Sequence, residues 1–417
     1  MKKLTVLASA LSMLLLAACG NQNEIKLTVV NPSSFDRSQE TLEFCQDALK
    51  EALQAGEEDQ LIVLDAEGRQ VPAQVLYNSC HCLRFIFQAD VKANDSAVYT
   101  VKVGQPEEFP CQAFTTFMPR RKDDISWEND RVIFRMYGPA LVTDPDEGMV
   151  SGGLDMWVKR TTQMVSQKWY QDEFDGKSSY HHDNGEGLDF YSVGTTLGAG
   201  AMAPFADGKL CKVGNNFVKY EILENGPIRT MFRLDYETYD AAGKAVSESR
   251  TLTLDAGSYL NKCIIRYEGL SEGDIVAAGF PFRGFAQPAK TRVDKRGLAD
   301  CSDIKACPDL GFVAYAEPEN AENGIIYLGS VLTTPATDQL IADGHVLNCT
   351  AYQGKPVVYY SGGAWSKGGF ETLDDWTAYV ATFATRLQEP LQVKAECSAC
   401  QGKAHQEEGC SEGHCAK

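Results

Sequence analysis

Residues 180–191 form the densest cluster of proton-transferring groups in this sequence. They read Tyr-His-His-Asp-Asn-Gly-Glu-Gly-Leu-Asp-Phe-Tyr and include two of the six histidines of the chain. Loops that carry clustered titratable side chains are enriched in functional sites. We therefore predict a site here, with Tyr180, His181 and His182 as catalytic residues and Asp189 and Tyr191 as substrate-binding residues.

Elimination from a uronic acid is one reaction that such groups perform. It needs a cation or amide that neutralises the sugar carboxylate, a base that removes the neighbouring proton and an acid that protonates the leaving oxygen. Tyr180 and His182 are the acid–base candidates. The carboxylate partner is sought among Arg135, Lys159 and Arg233, which must then converge on the loop. A sugar epimerase or mutarotase is the alternative, with a carboxylate such as Glu186 as base and a histidine as acid.

Two tryptophans are candidate platforms for a sugar ring. Trp157 and Lys159 are two residues apart, so they share one face of a strand, and Trp365 is the second candidate. An indole face packs against the C–H face of a sugar, and a nearby cation suits an anionic one. A place in the hydrophobic core is the alternative for each tryptophan.

Two segments have metal-binding composition, although we predict no required cofactor. Residues 183–189 carry the hard oxygen ligands of a Ca²⁺ loop without the order of an EF-hand. The end of the chain contains Cys397, Cys400, His405, Cys410, His414 and Cys415. These side chains suit Zn²⁺, and two disulfides are the alternative in an oxidising compartment.

The start of the chain predicts a bacterial lipoprotein. Lys2 and Lys3 precede a short apolar run at 4–16, and Leu-Ala-Ala-Cys-Gly at 16–20 is typical of a lipobox. We predict a signal peptide at 1–18, a lipidated Cys19 and a tether over 19–24. The apolar run is too short for a permanent membrane span. The expected location is the cell envelope, facing the periplasm or on the cell surface, with the lipid as sole membrane contact.

Composition limits the partners of the chain. Its 417 residues suffice for two or three domains, and its 44% hydrophobic content is ordinary for a globular protein. A net charge of −18 argues against nucleic acid and anionic membrane surfaces as partners. Any anionic ligand therefore requires a local group of cations.

Strand patterns dominate the elements that must position these residues. A small β-rich domain is predicted at 25–110, with strands at 26–30, 61–64, 83–87 and 98–103 and a helix over 40–55. In the region 111–388, Val132, Phe134 and Met136 fall on one face of a predicted strand, and the other face carries Arg131, Ile133, Arg135 and Tyr137. The segment 228–236 alternates more cleanly, and tight turns join it to strands at 247–254 and 260–267. This pattern predicts a large antiparallel β-sandwich, followed by a Cys/His-rich tail at 389–417.

Four segments carry a resemblance to a known family: 127–139, 187–194, 225–233 and 254–261. Together they resemble a Bacteroidetes lipoprotein family of unknown function that is found among polysaccharide-utilisation genes. The resemblance covers roughly 25–388 and implies a galactose mutarotase-like β-supersandwich, the fold of aldose epimerases and several polysaccharide lyases. It brings no established reaction, because a fold shared with sugar enzymes does not define a site.

These observations predict a carbohydrate-active lipoprotein that acts on uronic-acid-containing oligosaccharides, by β-elimination in the leading hypothesis. The alternatives are sugar epimerisation or mutarotation on the same face, and a lipoprotein that binds glycans without catalysis.

Overall fold

The computed structural model describes residues 24–77, 82–283, 291–292 and 302–396. Within these ranges, no helix combines the length and apolar character that crossing a bilayer requires. The predicted signal peptide, Cys19 and the cysteines of the tail lie outside the described residues. The described residues divide into two compact units: one contains those up to Pro110 together with residues 389–396, and the other lies within Cys111–Gln388.

The described residues form strands and three α-helices, numbered in chain order. The strands are β1 (Glu24–Val30), β2 (Arg37–Cys45), β3 (Leu61–Leu64), β4 (Gln70–Val71), β5 (Ala73–Leu76), β6 (Arg84–Val91), β7 (Ser96–Val103), β8 (Ala113–Met118), β9 (Asp124–Asn129), β10 (Val132–Met136), β11 (Asp155–Lys159), β12 (Gly187–Leu188), β13 (Met202–Ala206), β14 (Lys209–Leu210), β15 (Lys219–Glu224), β16 (Arg229–Ala241), β17 (Lys244–Asp255), β18 (Leu260–Glu268), β19 (Ile275–Pro281), β20 (Thr291–Arg292), β21 (Ile304–Cys307), β22 (Phe312–Ala316), β23 (Ile326–Leu332), β24 (Asp338–Ala342), β25 (His345–Ala351), β26 (Val357–Trp365) and β27 (Gln392–Glu396). The helices are α1 (Gln46–Leu53), α2 (Ser166–Phe174) and α3 (Leu373–Gln388).

The first unit contains two antiparallel sheets, in the orders β27-β1-β7-β3-β4 and β2-β6-β5. The helix predicted over 40–55 begins only at Gln46. The residues before it belong to β2, where Leu42 and Phe44 are buried at a spacing of two and pair with β6. The burial available on a sheet therefore overrode the helical spacing of these apolar residues.

The end of the first unit differs from the predicted tail. Residues 389–396 fall within the segment assigned to that tail, yet β27 pairs antiparallel with β1, so that Lys26 faces Glu396 and Val30 faces Gln392. Val393 and Ala395 pack against the core of this unit. Their alternation is that of a half-buried strand.

The second unit contains three antiparallel sheets that share one hydrophobic core. Their orders are β12-β11-β10-β9-β8, β14-β13-β19-β25-β24-β20 and β15-β16-β17-β18-β26-β23-β22-β21. The core includes Phe134 from the first sheet, Leu347 from the second and Phe232 from the third. A mainly β, antiparallel sandwich is therefore confirmed.

The predicted meander forms the first half of the eight-stranded sheet. β16, β17 and β18 are consecutive neighbours joined by short turns. The alternation in β16 gives the expected faces, with Thr230, Phe232 and Leu234 fully buried and Arg233 exposed.

The five-stranded sheet of the second unit, β12-β11-β10-β9-β8, is buried on both faces. Phe134 and Met156 point into the main core, whereas Ile133 and Trp157 pack in a second cluster with Trp169, Tyr170 and Tyr180. Polar side chains on that second face are consequently removed from water. They must find partners within the protein.

Candidate functional site

The 180–191 loop follows α2, which ends at Phe174, and contains β12 (Gly187–Leu188), the edge strand of the five-stranded sheet of the second unit. β12 pairs with β11, where Leu188 faces Val158 and Gly187 faces Lys159. Gly187 has a φ of 135°, and a Cβ at this position would lie 2.0 Å from the carbonyl oxygen of Val158. Only glycine permits this close approach, which fixes the loop beside the strand.

His181 is held by the main chain of the same loop. Its Nδ1 lies 3.0 Å from the carbonyl oxygen of Asp189 and 3.6 Å from Asp189 Oδ2, while 55% of the side chain remains exposed. A carbonyl oxygen only accepts hydrogen bonds, so Nδ1 is the donor in this contact. In the neutral ring, Nε2 then carries no proton and can accept one.

His182 has a different environment from its neighbour. Its backbone N–H donates to Ser179 O at 3.2 Å and its carbonyl accepts from Asn184. The side chain is exposed, and among the described residues it has no hydrogen-bond partner. The structure therefore orients His181 rather than His182, which was the acid–base candidate.

Tyr180 lies beneath the loop rather than on its surface. The residue is 5% exposed, and its ring stacks on Trp157 with the ring centroids 4.6 Å apart. Its hydroxyl accepts a hydrogen bond from Nε of Arg121 at 3.3 Å. Its carbonyl accepts from the backbone N–H of Asp189 at 2.8 Å, which ties together the two ends of the segment that holds His181.

Arg135 joins the loop to the sheet through three buried carboxylates. Its Nη2 lies 2.5 Å from Asp155 Oδ2 and 3.2 Å from Asp189 Oδ2, and its Nε lies 3.8 Å from Asp124 Oδ2. Arg135 is 4% exposed, and none of the three aspartates exceeds 2%. Arg135 Nη1 and Asp124 Oδ2 have no hydrogen-bond partner among the described residues.

Burial shapes the charge state of this cluster. Removal from water raises the pKa of Asp124 to about 6, although Arg135 opposes the shift. Burial also raises the pKa of Asp189 well above its usual range, with the neighbouring Asp155 adding to the effect. Burial disfavours the charge of Arg135, yet Asp155 and Asp189 raise its pKa well above the usual value. Arg135 thus stays charged, while Asp124 and Asp189 bind protons more readily than exposed aspartates do.

The platform predicted from Trp157 and Lys159 is wrong. Trp157 is fully buried between aromatic neighbours and exposes no face to a sugar. Lys159 Nζ lies 3.2 Å from Glu128 Oε2 and donates to the carbonyl oxygens of Asn129 and Gln163 at 2.8 and 2.7 Å. All three ammonium protons have partners, so Lys159 has no donor left for substrate.

Arg233 does not join the other predicted cations. It lies on the exposed face of β16, where it pairs with Asp235 at 2.8 Å, and its strand neighbours are Glu221 and Thr251. Of the three proposed carboxylate partners, only Arg135 contacts the 180–191 loop through its charged group, while Lys159 pairs with Gly187 along the strands. Since Arg135 already faces three carboxylates, the predicted convergence of free cations is wrong.

Tyr191 and Trp365 are buried beside other cations. Tyr191 is 6% exposed, its hydroxyl has no partner among the described residues, and Arg283 lies 5.2 Å from its ring centroid. Trp365 is 1% exposed and donates to Asn323 O, with Arg160 lying 4.7 Å from its ring centroid. Neither ring offers an open platform in this structure.

The carboxylates of the proposed Ca²⁺ loop point to separate cations. Asp183 pairs with Arg160, Glu186 pairs with Lys168, and Asp189 pairs with Arg135. No group of three metal-ligating side chains occurs within the described ranges. Hydrogen bonds from Lys168 and Trp169 also lower the pKa of Glu186, which makes it a weaker base.

The sequence analysis missed the aspartates at 124 and 155, together with Arg121 and Glu128. A signal for β9 exists, because Asp124, Ser126 and Glu128 alternate with Ile125 and Trp127. Such alternation usually indicates a solvent-exposed face. Here the polar face is covered by α2 and the 180–191 loop, so the same residues form buried pairs.

The chain is a mainly β protein with a loop rich in titratable side chains at a sheet edge, and solved structures share the fold. An α-mannosidase from Enterococcus faecalis V583 matches with a TM-score of 0.51 and 9% identity, over 92% of this chain and 47% of that chain. A protein in the Glycosyl Hydrolase Family 38 from Enterococcus faecalis matches with a TM-score of 0.50 and 8% identity, over 90% and 48% of the two chains. The chain spans about half the length of these structures, and at such identity the likeness shows the fold alone.

The chain belongs to the family described as "Domain of unknown function (DUF4861)", whose model matches residues 29–393. A relative, "Uncharacterized protein P7" of Formosa agariphila, is 30% identical over 328 residues, which are 75% of this chain and 78% of the relative. The predicted membership in a family of unknown function and the similarity of its fold to glycoside hydrolase structures are thus confirmed. The lipoprotein and polysaccharide-utilisation parts of that resemblance remain predictions.

Proposed function

We propose that this chain is a carbohydrate-active enzyme that transfers a proton at His181. One observation carries the proposal: the Asp189 carbonyl holds Nδ1 of His181, while much of the ring remains exposed. An oriented imidazole with an accessible Nε2 is the arrangement that general acid–base catalysis needs. The fold shared with an α-mannosidase supports a sugar as substrate by analogy.

We further propose β-elimination of a uronic-acid-containing oligosaccharide as the reaction. His181 then removes the proton beside the sugar carboxylate, the C–O bond to the leaving sugar breaks as the C=C bond forms, and the protonated imidazole returns the proton to the leaving oxygen. Arg160 replaces Arg135 as the carboxylate partner, because its side chain is 36% exposed and pairs with Asp183 of the same loop. An incoming sugar carboxylate can exchange with the carboxylate of Asp183 at this guanidinium.

Mutarotation or epimerisation is the second candidate, and it is favoured because neighbouring carboxylates neutralise the charge of Arg135. Three carboxylates surround this cation, and such a cluster offers no net positive charge to a uronate. A neutral sugar needs no such charge, and in mutarotation the proton moves between the anomeric hydroxyl and the ring oxygen rather than from carbon.

The test compares His181→Ala with His182→Ala in the full chain. We expect His181→Ala to lower kcat/KM by about 10²–10⁴-fold, the usual contribution of one acid–base group. The matched control His182→Ala removes an equally exposed neighbour whose side chain is not held, and its kcat/KM should stay within about twofold. The assay follows the ultraviolet absorbance of a new C=C bond on a panel of uronate oligosaccharides.

Each other outcome has a definite meaning. Interconversion of sugar anomers in proton NMR, with no C=C bond formed, would replace elimination by mutarotation at the same histidine. Equal losses in the two variants would contradict the role of His181. Glycan binding without turnover on any substrate would overturn the enzyme proposal in favour of a binding lipoprotein.

We also propose that the chain is anchored in the bacterial cell envelope through a lipid on Cys19. The support is the lipobox at 16–20, which follows a positive start and a short apolar run. In a bacterial host, we expect the wild-type chain to sediment with membranes and Cys19→Ser to lose the lipid mass. A Cys19→Ser variant that still carries the added mass of the lipid would contradict lipidation at this residue.

A further inference from the structure

A cavity of about 300 Å³ lies in the second unit, and none of its lining residues belongs to the 180–191 loop. Its walls come from three loops, at 150–152, 195–197 and 212–213, together with side chains of β13 and β17. This volume is at the lower end of the range for small-molecule sites. The cavity can therefore accept a ligand about as large as a monosaccharide.

Arg250 supplies a buried cation to this cavity. The residue is 5% exposed, its Nε donates to Glu248 at 2.6 Å, and its Nη1 donates to the carbonyl oxygen of Gly152 at 2.6 Å. Its Nη2 has no acceptor among the described residues. An anionic ligand in the cavity can accept a charge-assisted hydrogen bond from this N–H group.

Lys212 supplies a second cation at the same cavity. Its Nζ donates to the carbonyl oxygen of Thr195 at 2.6 Å, which uses one of the three protons of an ammonium group. Ser151, Thr195 and Thr196 also line the cavity, whereas no Asp or Glu is among its described lining residues. This local cationic character contrasts with the net charge of −18 for the chain.

Buried polar side chains hold the walls in place. Asn216 is fully buried, accepts from the backbone N–H of Ser151 at 2.7 Å and donates to the carbonyl oxygen of Gly138 at 2.8 Å. Nε2 of the buried His345 accepts from the backbone N–H of Leu197 at 3.2 Å. A Cβ at Gly152 would lie 2.4 Å from Val213 and 3.4 Å from Arg250 Nη2, so glycine keeps this side open. The cavity is thus preformed, which reduces the entropy cost of binding.

We propose that this cavity is a second binding site, specific for a small hydroxylated carboxylate such as a hexuronate. The carboxylate lies between Arg250 Nη2 and Lys212 Nζ, and the hydroxyl groups of the ligand contact the serine and threonine side chains. Binding here needs no proton transfer and no residue of the 180–191 loop.

The test measures binding of D-glucuronate, D-glucose and acetate to the full chain by calorimetry. We expect glucuronate to bind at least tenfold more tightly than the uncharged sugar, and more tightly than acetate, which lacks hydroxyl groups. Lys212→Gln should weaken glucuronate binding by roughly tenfold, the usual effect of losing one charge-assisted hydrogen bond. The matched control Lys209→Gln changes an exposed lysine of β14 that does not line the cavity, and its affinity should not change.

The His181→Ala variant separates this site from the proposed reaction. His181→Ala should lose turnover and retain glucuronate binding at the cavity. Lys212→Gln should instead retain the formation of unsaturated product and lose affinity for glucuronate. Equal affinity for glucuronate and glucose would overturn the proposal. So would unaltered binding in Lys212→Gln, or no detectable binding of glucuronate at millimolar concentration.

Discussion

Replacing Arg135 with methionine is expected to lower the free energy of unfolding by about 3–5 kcal/mol, because it leaves buried carboxylates without their cation. Asp124, Asp155 and Asp189 are all at most 2% exposed, so water cannot take the place of the guanidinium. Equilibrium urea unfolding of both proteins at pH 7 measures the loss. Asp155→Asn in the same chain should restore part of it, since one charge fewer then remains buried.

The loss should also depend on pH, and its sign follows from the carboxylates. Burial already raises the pKa of Asp124 to about 6 in the presence of Arg135, and removal of the cation raises it further. A raised carboxyl pKa gives stability that is present below the unfolded value of about 3.8 and is lost as the pH rises through the folded value. The destabilisation by Arg135→Met should therefore be smaller near pH 5 than near pH 8.

Arg233→Met is the matched control for this substitution. The Arg233 side chain is 47% exposed and pairs with an aspartate on the surface of β16. Exposed ion pairs of this kind contribute at most about 1 kcal/mol. Equal small losses in the two variants, at all pH values, would contradict the interpretation of the Arg135 cluster as a buried ion network.

This network also connects the stability of the sheet to the proposed base. Arg135 contacts the side chain of Asp189, and the carbonyl of the same residue orients His181. Under the proposed function, Arg135 is thus a positioning residue rather than a catalytic one. A cation that the sequence suggested as a substrate ligand instead fixes the main chain on which the imidazole is held.

The meander of β16 to β18 could be predicted because local signals were sufficient for it. Alternation along β16 determines which side chains are buried, and a register shift of one residue would expose Phe232 and Leu234. Consecutive strands that are joined by short turns can pair with each other only in the antiparallel direction. Pattern, turn and burial agree there, so the sequence alone determines the result.

The segment at 40–45 could not be predicted, because its local and tertiary preferences disagree. Leu42, Leu49 and Leu53 share a helical face, yet Leu42 and Phe44 also satisfy the two-residue spacing of a strand. Pairing with β6 decides between the two, and β6 lies some forty residues further along the chain. No window around 40–55 contains that information.

The site shows the same limit for polar residues. The composition of the 180–191 loop indicated acid–base chemistry, but it did not distinguish His181 from its neighbour. That distinction depends on the Asp189 carbonyl, a backbone group whose position is set by β12. Likewise, the burial of Trp157 and Trp365 follows from packing that no single strand reveals.

Lys159 gives the clearest test of whether a buried cation serves structure or substrate, and we expect Lys159→Met to lower the free energy of unfolding by about 3–5 kcal/mol. Its ammonium pairs with Glu128, which also accepts from the backbone N–H groups of Val165 and Ser166 at the start of α2. Burial lowers the pKa of Lys159 and Glu128 opposes the shift. Methionine has a similar volume but leaves the Glu128 charge unpaired.

Adding Glu128→Gln to Lys159→Met should recover part of the loss, because the amide oxygen still accepts from Ser166 while the buried charge is gone. Lys244→Met, at an ion pair whose lysine side chain is 39% exposed, is the control and should cost at most about 1 kcal/mol. A substrate-binding role makes the opposite prediction: Lys159→Met would abolish turnover and leave urea unfolding unchanged. All three protons of this ammonium already have partners within the protein. We therefore expect Lys159→Met to lower the free energy of unfolding, as a structural role predicts.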